Sequence, residues 1–142
     1  MEQYSITVEE KPSDDDCRFL GRSLYEFNIS QTGLEVGRIA VFLRDGEGNI
    51  IGGTLGSTPL ARLHIDILWV RDDIRGQGYG TRLLLAAEQE AIKKACRYAH
   101  LETLSFQAPG FYQKLGYRIF AQFDDVADKY IWYFMMKDLV AK

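Results

Sequence analysis

The feature that most restricts the fold is the glycine-rich stretch "RGQGYG" at residues 75–80. An apolar, β-type run, "LHIDILWV", precedes it, and apolar residues at helical spacing follow it. A strand, a glycine turn and a helix N-terminus form an anion site, because the first helical N–H groups lack partners and glycine leaves them accessible. The glycine spacing matches neither the GxGxxG motif nor the GxxxxGK[ST] motif, which argues against a dinucleotide-binding dehydrogenase and a P-loop NTPase. The sequence therefore predicts a strand–turn–helix unit for a different anionic ligand.

The other periodic segments predict a mixed α/β fold in a single domain, residues 1–142. In chain order they are strand "YSITVEE", helix "SDDDCRFLGRSLYEFNIS", strands "GRIAVFLRD", "IIGGTLGS" and "LARLHIDILWV", a helix from Tyr79 to about Ala99, strand "HLETLSF", helix "PGFYQKLG", and strands "YRIFAQF" and "YIWYFMMKDL". Glycine and asparagine at residues 46–49 predict a hairpin. The β-α-β-β-β-α-β-α-β-β order predicts a mixed sheet with helices on both faces. Both alternating sets of the last strand are apolar, which predicts an interior strand.

The long helix has a mainly apolar face. Leu84, Ala87, Ala91 and Ala95 share it, and Glu88 falls on the same face. A carboxylate there needs a partner, so we expect Glu88 to pair with a neighbouring group and assign it no catalytic role.

Composition excludes several classes of protein. The formal net charge of −3 argues against a general nucleic-acid-binding surface. No apolar run approaches the length of a membrane span, and the polar, acidic start does not resemble a secretory signal, so a cytoplasmic location is expected. Cys17 and Cys96 lie far apart without CxxC or Cys/His clustering, which predicts no metal site and two buried or half-buried thiols.

Two blocks resemble the GNAT superfamily of N-acetyltransferases. "LWVRDDIRGQGYGTRLL" resembles its acyl-CoA-binding signature, whose defining positions are Arg75, Gly78 and Gly80 here. "APGFYQKLGYRIF" resembles its C-terminal segment, and the element order matches the family's mostly antiparallel sheet of six to seven strands. The resemblance implies acetyl-CoA as cosubstrate and no metal. It implies a pantetheine arm against Leu68, Trp69 and Val70, and a diphosphate held by Gly76, Gln77, Gly78, Tyr79, Gly80 and Thr81.

The resemblance also implies roles for two residues of the second block. Tyr112 corresponds to the tyrosine that points at the sulfur of coenzyme A, which makes it the expected general acid. Ser105 stands where many members have an asparagine that contacts the cofactor, and Gln107 lies nearby.

Acetyl transfer to an amine requires a neutral nitrogen, so a base is needed at neutral pH. His64 and Asp66 share one face of their strand, and Glu102 occupies the next strand. Polar residues inside apolar strands need a reason, and a cleft between the strands would supply one. Asp66 or Glu102 is the first choice of base, and His64 the next.

We therefore expect direct transfer from acetyl-CoA to a primary amine of a small molecule or peptide in a ternary complex. Two alternatives stay open. One is an acyl-CoA-binding or sensing module without turnover, and the other is a protein-interaction domain on the same fold. The resemblance to the family also leaves a homodimer open.

Overall fold

The structure is a computed structural model that describes residues 3–140, so residues 1–2 and 141–142 lie outside it. The chain forms two compact units that divide between Glu35 and Val36, and the expected single domain stays a prediction. Its elements are α1 (Asp14–Thr32), β1 (Arg38–Arg44), β2 (Ile50–Ser57), β3 (Arg62–Val70), α2 (Tyr79–Lys93), β4 (Tyr98–Leu104), α3 (Pro109–Lys114), β5 (Arg118–Val126) and β6 (Tyr130–Asp138). No helix within residues 3–140 is long and apolar enough to cross a membrane.

The first unit contains α1, which the sequence predicts. Ser13 begins the helix, and its side-chain oxygen accepts a hydrogen bond from the backbone N–H of Asp16 at 3.1 Å. Three aspartates in the first turn face the positive end of the helix dipole. Gly33 ends the helix in the left-handed region, with φ 68°, and donates its N–H to the Ile29 carbonyl.

Two expectations for this unit are wrong. The strand predicted for residues 4–10 does not form, and Ile6 and Val8 are almost fully exposed. Alternation is insufficient for a strand, because its backbone also needs a neighbouring strand to bond, and the six-stranded sheet includes none of these residues. Cys17 is exposed instead of buried, because it lies on a helix without a buried residue.

The second unit is built on a six-stranded sheet in the order β1-β2-β3-β4-β6-β5. All neighbours pair antiparallel except β3 and β4, which pair parallel, so the predicted mixed sheet is confirmed. The predicted hairpin joins β1 and β2, where the Asp45 carboxylate accepts the N–H groups of Glu47 and Asn49. β6 lies between β4 and β5, as its sequence predicts, although of its side chains only Met135 is fully buried.

Helix α2 covers β1, β2 and β3 and supplies the core. Leu84, Ala87 and Ala91 are completely buried against a cluster that includes Leu63 and Met135. The helix ends at Lys93 and not near Ala99. Ala95 adopts a positive φ of 63°, which takes it out of the helix and off the face predicted for it, and Cys96 is buried as expected.

Glu88 pairs with two groups inside this core, as the helical pattern predicts. It is 4% exposed, and its Oε1 lies 2.7 Å from the Lys137 Nζ on β6. Its Oε2 accepts a hydrogen bond from the Tyr117 hydroxyl at 3.0 Å. Burial, and then the charge of Glu88, raise the pKa of Tyr117 far above its usual range. The carboxylate therefore connects α2 to β6 and to the residue that precedes β5.

Candidate active site

The pairing of β3 with β4 ends early and leaves a gap in the sheet. The last paired residues are His64 and His100, while β3 continues to Val70 and β4 to Leu104. A cavity of about 910 Å³ opens where the strands separate. Its walls are formed by residues 65–70 of β3, 101–103 of β4, 74–76 and 78–81 of the glycine turn and first turn of α2, residues 106–108, Phe111 and Tyr112. An elongated ligand therefore has access to strand edges that lack a strand partner within residues 3–140.

The glycine turn presents backbone N–H groups at one wall of this cavity. Gly76 and Gly78 have φ values of 78° and 86°, and a Cβ at either would meet no atom within 4 Å. Gly78 precedes the first residue of α2 and offers no side chain to cap it. The first N–H groups of the helix consequently keep their hydrogen-bonding capacity for an anion.

Arg75 holds the turn in place. Its Nε donates to the Val70 carbonyl at 2.7 Å, and its Nη1 lies 2.9 Å from an Asp72 carboxylate oxygen. These contacts connect the end of β3 to the start of the glycine turn. The arginine therefore lines the cavity and also fixes the path of the backbone around it.

Helix α3 brings a tyrosine to the cavity. Pro109 begins the helix, and the Tyr112 ring packs edge-on against Phe111 and Tyr117 at centroid distances of 5.1 and 5.8 Å. The first turn of α2 lies beside this helix, since a Cβ at Gly80 would be in ordinary van der Waals contact with the Phe111 ring, at 3.4 Å. Burial raises the pKa of Tyr112, so its phenol remains a proton donor at neutral pH.

Three polar side chains lie in polar contact across β3 and β4. The His64 Nδ1 lies 2.7 Å from an Asp66 oxygen, and its Nε2 lies 2.8 Å from a Glu102 oxygen. A neutral imidazole donates from only one nitrogen, so both contacts are donated only when the ring carries a second proton. Asp66 and Glu102 line the cavity, whereas His64 is not one of its wall residues. The group therefore places two carboxylates at the cavity with a shared proton carrier between them.

A second histidine lies against this group. The rings of His64 and His100 are 4.6 Å apart. Burial, and then the charges of His64 and Arg62, hold the pKa of His100 below its usual value, although Glu102 and Asp66 act in the opposite direction. His100 is therefore neutral at pH 7.

Comparison with known proteins identifies the architecture around this cavity. Residues 3–117 match the acetyltransferase (GNAT) family. The chain belongs to the GNAT acetyltransferase family. It is accordingly an acyltransferase of a family that uses acetyl-CoA, and the GNAT fold expected from the sequence is confirmed.

Three relatives illustrate the range of this GNAT family. The blasticidin-S acetyltransferase of Streptomyces morookaense is 40% identical over 93 residues, which cover 65% of this chain and 68% of the relative. An acetyltransferase crystal structure from Bacillus cereus has a TM-score of 0.79 at 31% identity, covering 93% of this chain and 97% of that one. A Bacillus anthracis protein assigned as a streptothricin acetyltransferase was solved in complex with acetyl coenzyme A. Its TM-score is 0.64 at 22% identity, over 71% of this chain and 62% of that one, a likeness of fold alone.

The cavity of this GNAT chain contains most of the residues that the sequence selects, but not all. His64, Gln77 and Ser105 do not line it. Ser105 instead pairs with Ile131, donating its N–H to that carbonyl and accepting that N–H with its hydroxyl oxygen. Gln107 does line the cavity, where its Oε1 accepts the Leu104 N–H at 2.9 Å.

Sequence reasoning missed several wall residues of the GNAT cavity, notably Phe106 and Phe111. Phe111 was detectable, because it lies beside Tyr112 in the second block. Phe106 was not, because the sequence predicts it as the last residue of the strand "HLETLSF", whereas β4 ends at Leu104 and Phe106 lies in the turn that follows.

Proposed function

We propose that this chain transfers the acetyl group of acetyl-CoA directly to an amine of a cationic small molecule, a class that includes amine-bearing antibiotics. The observation that carries the proposal is the cavity at the β3–β4 gap. The glycine turn, Tyr112, Asp66 and Glu102 all line it. Anion binding, proton donation and proton acceptance are thereby available to one bound pair of substrates.

The cosubstrate is expected to lie along the unpaired edge of β3. Leu68, Trp69 and Val70 would contact the pantetheine arm, and the N–H groups around Gly78 would bind the diphosphate. Arg75 supports that arrangement by fixing the turn. This placement leaves the thioester near Tyr112, on the opposite wall.

The acid–base chemistry assigns a role to each polar group. Glu102 takes a proton from the acceptor ammonium. His64, which contacts both carboxylates, relays that proton from Glu102 towards Asp66. The free amine attacks the thioester carbonyl, and the carbon–sulfur bond of the tetrahedral intermediate breaks. Tyr112 donates its proton to the departing thiolate and is reprotonated from solvent. Glu102 passes the first proton to solvent and then accepts the second proton from the nitrogen of the intermediate. The net products are the amide, the thiol of coenzyme A and one proton released to solvent.

The acceptor class is supported by charge and by relationship. Two carboxylates at the cavity favour a cation over an anion. The relative at 40% identity is a blasticidin-S acetyltransferase, and blasticidin S is therefore the first acceptor to test. Cys96, the cysteine of the second unit, does not line the cavity, which favours direct transfer without an acyl-cysteine.

The test is release of free thiol from acetyl-CoA with a panel of amines. The panel comprises blasticidin S, streptothricin, polyamines, aminoglycosides and peptides, and double-reciprocal plots should intersect for a ternary complex. Turnover of a cationic antibiotic amine supports the proposal. Turnover of peptides alone would contradict the acceptor class, and absence of turnover with every amine would contradict the proposed function.

Variants test the individual roles. Tyr112→Phe and Glu102→Gln should each lower kcat by about 10²-fold, because each removes a proton-transfer group. Tyr98→Phe and Glu90→Gln are the matched controls, since neither residue lines the cavity. Melting temperatures with and without acetyl-CoA distinguish a lost proton transfer from lost cosubstrate binding.

A further inference from the structure

His100 is a polar group beside the cavity for which the proposed chemistry has no use. It pairs in register with His64 across β3 and β4, so both side chains lie on the same face of the sheet. Its Nε2 is buried and has no hydrogen-bond partner within residues 3–140. A buried ring nitrogen without a partner is unfavourable, and this nitrogen keeps its capacity to bind an additional group.

The neighbouring side chains complete a set of metal ligands. One ring nitrogen from each histidine and one Glu102 oxygen lie within 4.8 Å of one another. Tetrahedral zinc, with bonds of about 2.0–2.2 Å, holds its ligand atoms roughly 3.3 Å apart. The His64 Nε2 and the Glu102 oxygen, at 2.8 Å, already meet this requirement within small side-chain rotations. The His100 nitrogen lies within 4.8 Å of both other atoms, so rotation of its ring would complete the site.

The surroundings of His64 fit the same interpretation. A histidine that binds a metal usually donates its other ring N–H to a carboxylate, which fixes the tautomer and orients the ring. Asp66 is positioned to be this partner, because one of its carboxylate oxygens lies 2.7 Å from the His64 Nδ1. Arg62 is the opposing positive charge beside His100, and the Asp66 and Glu102 carboxylates outnumber it.

We propose that His64, His100 and Glu102 form a site for a divalent transition-metal cation with an affinity for nitrogen, such as Zn²⁺, and that the bound ion blocks acetyl transfer. Two imidazoles and one carboxylate are a donor set that zinc accepts, with the fourth position open to water. Binding of the metal ion depends on these ligands alone and not on the proposed function. The block rests on the proposed function, because the ion holds the His64 nitrogen and the Glu102 oxygen that would accept the amine's proton.

Binding is tested without reference to activity. Tag-free protein carrying Cys17→Ser, which removes the exposed thiol, is titrated with ZnCl₂ against a chromophoric chelator. We expect one Zn²⁺ per chain, at least about 10-fold weaker binding in His100→Gln and in Asp66→Asn, and no competition from Mg²⁺, which prefers oxygen ligands. No stoichiometric binding, or binding unchanged in His100→Gln, would overturn the site.

A spectroscopic measurement on the protein without a ligand substitution guards against a variant that fails to fold. Co²⁺ in the same site should give the visible absorption of four-coordinate geometry, and Zn²⁺ should displace it. A spectrum of octahedral, water-like Co²⁺ would overturn the ligand assignment.

The block is tested by kinetics. Zn²⁺ should inhibit thiol release, a chelator should restore it, and His100→Gln should retain metal-free turnover while resisting Zn²⁺. Stoichiometric binding with unchanged turnover would overturn the block and leave the site established. A chain that binds Zn²⁺ as expected but acetylates no amine would refute the proposed function and the block with it, while the site itself would be supported.

Discussion

Replacing Glu88 with alanine should destabilise the protein severely without touching the cavity. Its carboxylate lies 2.7 Å from the Lys137 Nζ and accepts the Tyr117 hydroxyl at 3.0 Å. Tyr117 is 3% exposed, and the Lys137 side chain is 21% exposed. The substitution therefore leaves one buried hydroxyl without an acceptor and one mostly buried ammonium without a counter-charge.

Removing one member of a buried ion pair costs about 3–5 kcal/mol, and an unsatisfied buried hydroxyl contributes about 1–3 kcal/mol of such a loss. Partial access of Lys137 to water moves the expectation to the lower part of this range, about 3–4 kcal/mol. For a chain of this length, the melting temperature should fall by roughly 10–15 °C. Replacing both charges, as Glu88→Leu with Lys137→Met, should cost less than the single change, because no unpaired charge stays buried.

The assay is urea unfolding followed by far-UV circular dichroism, with linear extrapolation to water. Glu90→Ala is the matched control on the same helix, where the exposed pair with Lys93 should contribute nothing measurable. A loss below about 1 kcal/mol for Glu88→Ala, or a double variant less stable than the single one, would refute the reasoning.

Three further predictions concern the glycine turn, the tyrosine and the thiols. Gly78→Ala forces a Cβ into φ 86°, which should cost about 1–2 kcal/mol and weaken acetyl-CoA binding; Gly46→Ala, where a Cβ has open space and φ is not positive, should do neither in melting and binding measurements. Because its pKa is raised, Tyr112 stays protonated at neutral and moderately basic pH, so kcat should show no decline from its ionisation below about pH 10; a tyrosine-dependent decline near pH 8 would contradict this. A thiol reagent should label Cys17 in the native protein and Cys96 only after unfolding, because burial shields that thiol and raises its pKa; rapid labelling of both would contradict the packing.

The sequence predicted most elements because their signals are local. Ser13 and its following aspartates begin α1, and the turn at residues 46–49 closes the β1–β2 hairpin. The strand predicted at residues 4–10 was wrong, because alternating apolar residues do not show whether a neighbouring strand is present to form the hydrogen bonds. The end of α2 was misplaced because Ala95 is a good helix former that the turn into β4 holds at a positive φ.

The candidate site was predictable where its residues follow one another. Gly76, Gly78 and Gly80 lie within five consecutive residues at the start of a helix, and this spacing by itself indicates an anion site. His100 had no such signal, because its relation to His64 depends on the register of two parallel strands separated by a whole helix. Ser105 was selected only by its position relative to Tyr112. Its hydrogen bonds to the Ile131 backbone show a structural role, which sequence spacing does not predict.

Because β3 and β4 pair over only a short length, the six-stranded sheet resembles two three-stranded sheets joined along one edge. The halves meet over three residue pairs, and the central pair is Leu63 with Ala99, both completely buried. A larger side chain at Ala99 would push β3 and β4 apart and so widen the cavity between them. Ala99 itself is buried in the core, where no substrate reaches it. The breadth of acceptors in such a fold is therefore adjustable from within its core, and a lineage could change what it acetylates while every residue lining its cavity stays the same.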